Sequence, residues 1–239
     1  MIKRIGMAVA AGLLMASMLW AAPAAKIISL KGEVKVRRGV EENWQPARVG
    51  MLLETIDTIL TFENGEVVLE MPTGATFRLS GNTWLELSDL RTISERELFL
   101  ALMSQKISKI PAPAEKTRLR IGNVSAVHGE QKTAAPAPSA AAETVRWRRE
   151  VNGANALLAQ RYFPNAILRL HQIMARYPEV VDCGEMQFSL GQAFEALQRT
   201  GQAHDAYQAA VAQGQGAACE AEAAARTRVA QEKLKQLSN

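Results

Sequence analysis

The sequence has few of the residues from which catalytic and metal sites are built. Only three histidines occur among 239 residues, His128, His171 and His204, and they lie far apart. A zinc or iron site needs several His, Cys or carboxylate ligands close together, so we expect no metal. The sequence also lacks a G-x-S-x-G nucleophile motif, a phosphate-binding loop and a dinucleotide fingerprint. We therefore expect a protein that is not an enzyme and binds no cofactor.

Long apolar runs are confined to the first 24 residues. Lys3 and Arg4 precede an apolar stretch from Ile5 to Leu19, and Ala22-Pro23-Ala24 follows it. This order is typical of a secretory signal peptide, which we assign to residues 1–24. The alternative is an uncleaved anchor, although the stretch is shorter than the ~20 residues that a membrane span needs. We expect a bacterial periplasmic protein with no membrane span after cleavage, and the outer surface is the other possible location.

Neither charge sign dominates the mature chain. The signal peptide contains two basic residues and no acidic ones, so 26 basic and 24 acidic residues remain, a net charge of +2. This balance gives no reason to expect a nucleic-acid partner. Aromatic residues are also scarce, at 5% of the sequence.

Cysteine is nearly absent, and the only two cysteines are Cys183 and Cys219. Each precedes a predicted helix, and 36 residues separate them. In an oxidising compartment such a pair can form a disulfide. The alternative is two separate buried thiols, because equivalent positions in neighbouring repeats can lie too far apart to bond.

Apolar and polar residues alternate through residues 26–130, which predicts an all-β domain. Residues 63–82 predict a hairpin, with Val67 and Leu69 facing the same side as Phe77 and Leu79. We expect Ile28, Leu30, Val34 and Val36 to point inward, residues 50–61 to form an apolar strand and residues 117–121 to form the last strand. Residues 96–110 fit either a buried strand or a helical turn.

The second half of the chain changes period. Residues 131–145 are rich in Ala, Pro and Ser and predict a linker. Residues 146–237 repeat apolar positions at helical spacing, with breaks predicted at Tyr177-Pro178 and at Gly201 and a last helix from about residue 217. The fold class is therefore mixed, an all-β N-terminal module followed by an all-α helical solenoid.

The β region resembles the FecR-type domain of bacterial envelope proteins. The matching positions are Trp44, Pro46, Ala47, Gly50, Leu53, Asp57, Thr61, Gly74, Leu79 and Leu85. The chain departs from the family pattern at Ile56, Thr73 and His128, where glycine, aspartate and arginine are usual. The resemblance implies ligand sensing or protein docking in the envelope. We expect Asp57 to be a turn residue and Trp44 to cover the β core, with a ligand platform as the alternative for Trp44.

The helical region resembles tetratricopeptide (TPR) repeats. Leu190-Gly191, Phe194, Ala203, Tyr207 and Ala210 follow the repeat's spacing, and a more degenerate copy contains Ala166, Leu170, Ile173 and Pro178. The copies lie about 37 residues apart, slightly more than the ~34 typical of this repeat. Small residues at Gly191 and Ala203 would let paired helices approach closely.

The repeat resemblance implies a concave groove that binds an envelope protein or peptide. The positions expected to face this partner are Asn155, Leu158, Phe188, Gln192 and Glu195. Homodimerisation through the terminal helix could extend a groove built from two repeats.

A cell-wall binder is the alternative function. In that hypothesis the β domain holds peptidoglycan or an anionic envelope glycan, and the repeats are a spacer. The expected contacts are Lys106, Lys109, Lys116, Arg118 and Arg120, with Arg146, Arg148 and Arg149 as a second small cluster. The simpler interpretation of the first set is a strand edge protected by charge.

Overall fold

The computed structural model describes residues 23–108, 140–215, 219 and 221–237. The signal peptide up to residue 22, the predicted strand at 117–121, His128 and most of the predicted linker lie outside these ranges. Within them, the strands are Ala25–Lys31 (β1), Val34–Arg37 (β2), Trp44–Pro46 (β3), Leu52–Leu53 (β4), Thr58–Thr61 (β5), Glu66–Glu70 (β6), Thr76–Leu79 (β7) and Trp84–Glu86 (β8). A 3₁₀ turn at Leu87–Leu90 follows the last strand.

The strands form two antiparallel sheets around one apolar core. The first sheet has the order β4-β1-β6-β7, and the second has the order β3-β2-β5-β8. The alternating apolar side chains of both sheets are buried in the same cluster, to which Ile27, Leu69 and Phe77 contribute from the first sheet and Val36 and Ile59 from the second. The predicted all-β N-terminal module is therefore confirmed.

The predicted hairpin of residues 63–82 is present in the expected register. Strands β6 and β7 pair Val67 with Leu79 and Leu69 with Phe77. All four side chains are fully buried. Cross-strand partners share one face of a sheet, so the alternation in the sequence was sufficient to predict this element.

Two other strand predictions were wrong in detail. Ile28 is 38% exposed and Ile27 is fully buried, because a register shift between Ile27 and Ser29 changes the face that β1 presents. Residues 50–61 form two short strands in different sheets, β4 and β5, instead of one strand.

Asp57 occupies the turn between β4 and β5. Its side chain is 2% exposed and accepts hydrogen bonds from the backbone N–H groups of Glu54 and Gly39, each at 2.9 Å. Arg38 Nη1 lies 2.7 Å from Asp57 Oδ2. The carboxylate therefore joins its own turn to the loop after β2, a structural role that satisfies its buried charge.

Six helices follow within the described residues. They are Glu95–Ser108 (α1), Ala140–Ala159 (α2), Phe163–Arg176 (α3), Glu185–Ala196 (α4), Thr200–Gly214 (α5) and Ala221–Leu237 (α6). Their buried side chains form a second cluster that includes Leu170, Leu190 and Tyr207. The predicted all-α C-terminal module is therefore confirmed.

The predicted module boundaries need two corrections. Residues 95–108 are helical, and Leu98 and Leu102 of α1 are buried in the core of the helical module. Helix α2 begins at Ala140, so residues 140–145 belong to a helix and not to the predicted linker. Alanine has the highest helix propensity of all residues, which favours helix in this Ala-rich segment.

Helices α4 and α5, which form the second predicted repeat, approach each other closely at the small residue Gly191. A Cβ on Gly191 of α4 would lie 2.5 Å from Cε1 of Tyr207 on α5, so only glycine allows this approach. The break between α4 and α5 lies at Gln198, which has a φ of 58°, and not at Gly201, which is inside α5. The end of α3 before Tyr177 agrees with the prediction.

Side-chain amides of the helical module satisfy backbone groups of the β module. Gln160 bonds both the N–H and the carbonyl of Arg78 on the edge strand β7, at 2.7 and 2.8 Å. Asn165 Nδ2 donates to the carbonyls of Asp89 and Arg91, at 2.6 and 2.8 Å. These bonds between side chains of one module and the backbone of the other fix the two modules relative to each other.

Candidate partner-binding groove

A groove of about 520 Å³ lies between the first helices of the two predicted repeats. Helices α2 and α4 form its sides, and the start of α3 and one residue of α6 complete it. The lining residues are Asn155, Leu158, Ala159, Phe163, Glu185, Phe188, Ser189, Gln192 and Arg226.

Polar side chains join the two walls. Asn155 Oδ1 on α2 accepts a hydrogen bond from Ser189 Oγ on α4 at 2.9 Å. Asn155 Nδ2 donates to Glu185 Oε1 at 3.2 Å, and Glu185 also pairs with Arg148. These contacts hold the width of the groove while leaving Asn155 and Glu185 at its surface.

Apolar side chains occupy the part of the groove next to the helical core. Leu158, Phe163 and Phe188 are partly buried and pack against that core. The ring of Phe188 lies 5.7 Å from that of Tyr207, centroid to centroid. The groove therefore combines an apolar strip with amide and charged groups, the composition found where proteins bind peptides.

The disulfide holds the end of the groove formed by α6. Cys183 and Cys219 are bonded, with their Cα atoms 5.7 Å apart. Arg226 Nη1 donates to the carbonyl of Cys183 at 3.2 Å and so places its guanidinium in the groove. The bond links Cys183, two residues before α4, to Cys219, two residues before α6.

The structure brings four of the five predicted partner-facing residues together. Asn155, Leu158, Phe188 and Gln192 line the groove. Gln192 is exposed, and its side chain has no hydrogen-bond partner among the residues that the structure describes. This amide is therefore free to bond to a ligand.

The fifth predicted residue, Glu195, does not line the groove. Its carboxylate accepts hydrogen bonds from Tyr207 Oη and Lys233 Nζ, both at 2.7 Å. Burial acts to raise the pKa of Glu195, but the bonds from Lys233 and Tyr207 outweigh it and lower the pKa. Burial and the neighbouring Glu195 raise the pKa of Tyr207. Glu195 therefore connects α4, α5 and α6.

Five lining residues were not predicted from the sequence: Ala159, Phe163, Glu185, Ser189 and Arg226. Glu185 and Ser189 lie on the same face of α4 as Gln192, at helical spacing, so the period could have identified them. Arg226 comes from a helix beyond the second repeat, and no local pattern links it to α4.

The structure describes only Lys106 among the five glycan contacts predicted between residues 106 and 120. Lys106 lies on helix α1, so its interpretation as part of a strand edge was wrong. The other four, Lys109, Lys116, Arg118 and Arg120, lie outside the described residues.

Trp44 is partly exposed and contacts Trp84 edge-to-face, with ring centroids 5.1 Å apart.

Comparisons with known proteins show no family for this chain. No protein-family model matches it, and a search of curated proteins finds no match. A solved structure named "Cell surface anchoring domain" aligns with 31% of this chain and 97% of its own, at 19% identity and a TM-score of 0.28. A likeness this weak supports no statement about fold or function.

The part of the chain that the structure describes has neither a membrane-spanning helix nor a metal cluster. No helix there is both long and apolar enough to cross a membrane. No group of three or more His, Cys, Asp or Glu residues there has the arrangement of a metal site.

Proposed function

We propose that the protein is an exported adaptor of the bacterial envelope that binds a protein partner in the groove between α2 and α4. The observation that carries this proposal is the meeting of Asn155, Leu158, Phe188 and Gln192 around one groove. In this proposal the helices act as a TPR-like solenoid, and the β module is a FecR-like docking or ligand-sensing domain. The protein is not an enzyme and uses no cofactor.

The chemistry of the groove favours a short peptide segment with apolar side chains. Leu158, Phe163 and Phe188 offer an apolar strip, and the exposed amide of Gln192 can bond a peptide backbone. Arg226 adds a positive charge at the α6 end. Apolar anchors surrounded by polar groups are the usual arrangement of such sites.

An exported location is consistent with the disulfide. Disulfides persist in oxidising compartments such as the periplasm and are rare in the cytosol. Together with the predicted signal peptide, the bond between Cys183 and Cys219 supports a periplasmic location. Homodimerisation through α6 remains a prediction.

The test compares two charge-matched substitutions in cells. Gln192→Arg places a bulky cation in the groove, and Gln208→Arg makes the same change at an exposed position of α5 outside the groove. The partner is identified by crosslinking in intact cells, purification and mass spectrometry. We expect Gln192→Arg to lose the partner and Gln208→Arg to keep it. Equal recovery with both variants would exclude the groove as the binding site.

A further inference from the structure

A second surface, on the β module, collects cations and aromatic rings. We call it the cation–aromatic face and define it by Arg37, Trp44, Phe62, Trp84, Arg146 and Arg149. The strand register creates the first part, because Arg37 pairs with both Trp44 and Thr58. Cross-strand partners lie on the same face of a sheet. A second row consists of Lys35, Leu60 and Trp84, which are cross-strand partners on β2, β5 and β8. Since Lys35 and Arg37 are two residues apart on β2, the two rows lie on the same face.

Helix α2 supplies the remaining cations. Arg146 and Arg149 are three residues apart and so lie on one side of the helix. The Arg146 guanidinium is 4.9 Å from the centre of the Trp84 ring, and that of Arg149 is 5.0 Å from the centre of Phe62. The face is therefore shared between the two modules.

The aromatic rings and the cations are interleaved. The Arg37 guanidinium lies 5.6 Å from the ring of Trp44 and 5.5 Å from that of Trp84. Lys35 Nζ lies 4.9 Å from the Phe62 ring. Arginine stacked on a ring keeps its N–H groups available to a ligand at the guanidinium edge.

Several donors on this face lack partners. Arg37 Nε, Arg149 Nε and Trp84 Nε1 are buried, and within the described residues none of them has a hydrogen-bond partner. These three atoms are closed to solvent, so a ligand would bond to the terminal N–H groups of Arg37 and Arg149 instead. One of these, Arg37 Nη2, already donates to Thr58 Oγ1 at 3.0 Å.

No carboxylate of the described residues lies within 4.0 Å of the guanidinium of Arg37 or Arg149. The other two cations are paired, Lys35 with Glu33 at 3.0 Å and Arg146 with Glu150 at 3.1 Å.

Chemistry identifies the class of ligand. Guanidinium groups bind carboxylates through paired N–H donors, and tryptophan offers a flat apolar surface with a polar edge. Sugar rings present flat C–H faces that pack on such surfaces. We propose that the cation–aromatic face binds an anionic glycan that carries carboxylates. The disulfide favours an exported location, where envelope glycans are abundant, over contact with nucleic acid.

This site is distinct from the groove. Its residues lie on β2, β3, β8, the residue after β5 and the first half of α2. A single protein could therefore hold a glycan on one face and a protein partner in the groove. The two bindings can be tested separately, because Gln192→Arg should leave the glycan bound.

The experiment measures binding of the chain from residue 25 to residue 239. The probes are polygalacturonate, which carries carboxylates, uncharged dextran, and single-stranded oligothymidylate, each in 50 mM salt. We expect binding to polygalacturonate and none to dextran. Arg37→Gln and Arg149→Gln should each weaken binding about tenfold, the loss of one charge-assisted hydrogen-bonded contact. Trp44→Ala should weaken it as well.

The matched control is Arg228→Gln, which removes one positive charge from an exposed position of α6. It should bind polygalacturonate as the unsubstituted chain does. Thermal unfolding of each variant shows whether it is folded. Arg37 and Arg149 lie on different elements, so if one of the two variants fails to fold, the other still tests the site. No binding to polygalacturonate, an equal loss in Arg228→Gln, or tighter binding to oligothymidylate would each overturn the proposal.

Discussion

Arg169 on α3 lies 3.4 Å from Glu150 on α2, and their side chains are 2% and 0% exposed. The same guanidinium lies 3.3 Å from Glu86 and 3.7 Å from Asp89, both of the β module. One buried cation therefore connects carboxylates of the two modules. Removing Arg169 would leave the buried carboxylates around it without this cation, which is strongly destabilising.

Asp89 makes the stability of this junction depend on pH. Burial raises the pKa of Asp89 to about 6 from an ordinary 3.8, although Arg169 acts to lower it. The folded protein therefore binds a proton that the unfolded chain has released between these values. The contribution of Asp89 to stability is complete below pH 4 and is lost as pH rises through about 6.

Asp89→Asn is expected to remove this pH dependence. The difference between a pKa of 3.8 and one of about 6 corresponds to about 3 kcal/mol at most. The variant should equal the unsubstituted protein in free energy of unfolding at pH 4 and exceed it by up to about 3 kcal/mol at pH 7. Urea unfolding at both pH values gives the comparison, with Asp205→Asn at an exposed site as control. A difference that is the same at both pH values would contradict this account.

Gly153 sets the distance between α2 and strand β8. A Cβ at this position would lie 2.2 Å from the carbonyl oxygen of Trp84, and a backbone atom cannot easily move away. Overpacking of this kind costs about 1–3 kcal/mol. We therefore expect Gly153→Ala to lower the midpoint of thermal unfolding, even though alanine favours helix over glycine.

Gly201→Ala is the control for the substitution at Gly153. A Cβ at Gly201 has no neighbouring heavy atom within 4 Å. Since alanine has the higher helix propensity, this variant should be unchanged or more stable by up to about 1 kcal/mol. If both variants lost equal stability, close packing against Trp84 would not be the cause.

The disulfide should contribute substantially to the stability of the helical module. Bonding Cys183 to Cys219 closes a loop with a separation of 36 residues. In the chain-entropy model this contributes about 3–4 kcal/mol. We expect the variant with both cysteines changed to serine to unfold at lower denaturant by that amount. Reductant should destabilise the unsubstituted protein and leave the double variant unaffected. Two free thiols in the native, oxidised protein would contradict the bond.

Regular local patterns were sufficient to predict much of the fold. The β6–β7 hairpin follows from alternation between turn residues, and α3 follows from apolar residues at helical spacing. Helix α1 could not be assigned in this way, because Phe99 and Leu100 are exposed beside the buried Leu98 and Leu102. With apolar residues on both faces, no period distinguishes helix from strand.

The junction between the modules could not be predicted from local patterns. Asn165 and Gln160 bond to backbone atoms more than 70 residues away in the sequence. In the sequence, Arg169 looks like an ordinary charged residue of a surface helix. Its burial depends on the packing of α2 and β8 beside α3, which no local pattern predicts. In the groove, four residues followed from the resemblance to TPR repeats, whereas the role of Glu195 depended on Tyr207 and Lys233 of later helices.

The groove between α2 and α4 is tested most directly by photocrosslinking from Gln192 in living cells. A photoreactive amino acid replaces Gln192 in one variant and Gln208, exposed on α5, in another. We expect one discrete envelope protein to be crosslinked from position 192 and not from position 208. No crosslinked protein from position 192, or the same products from both positions, would contradict it.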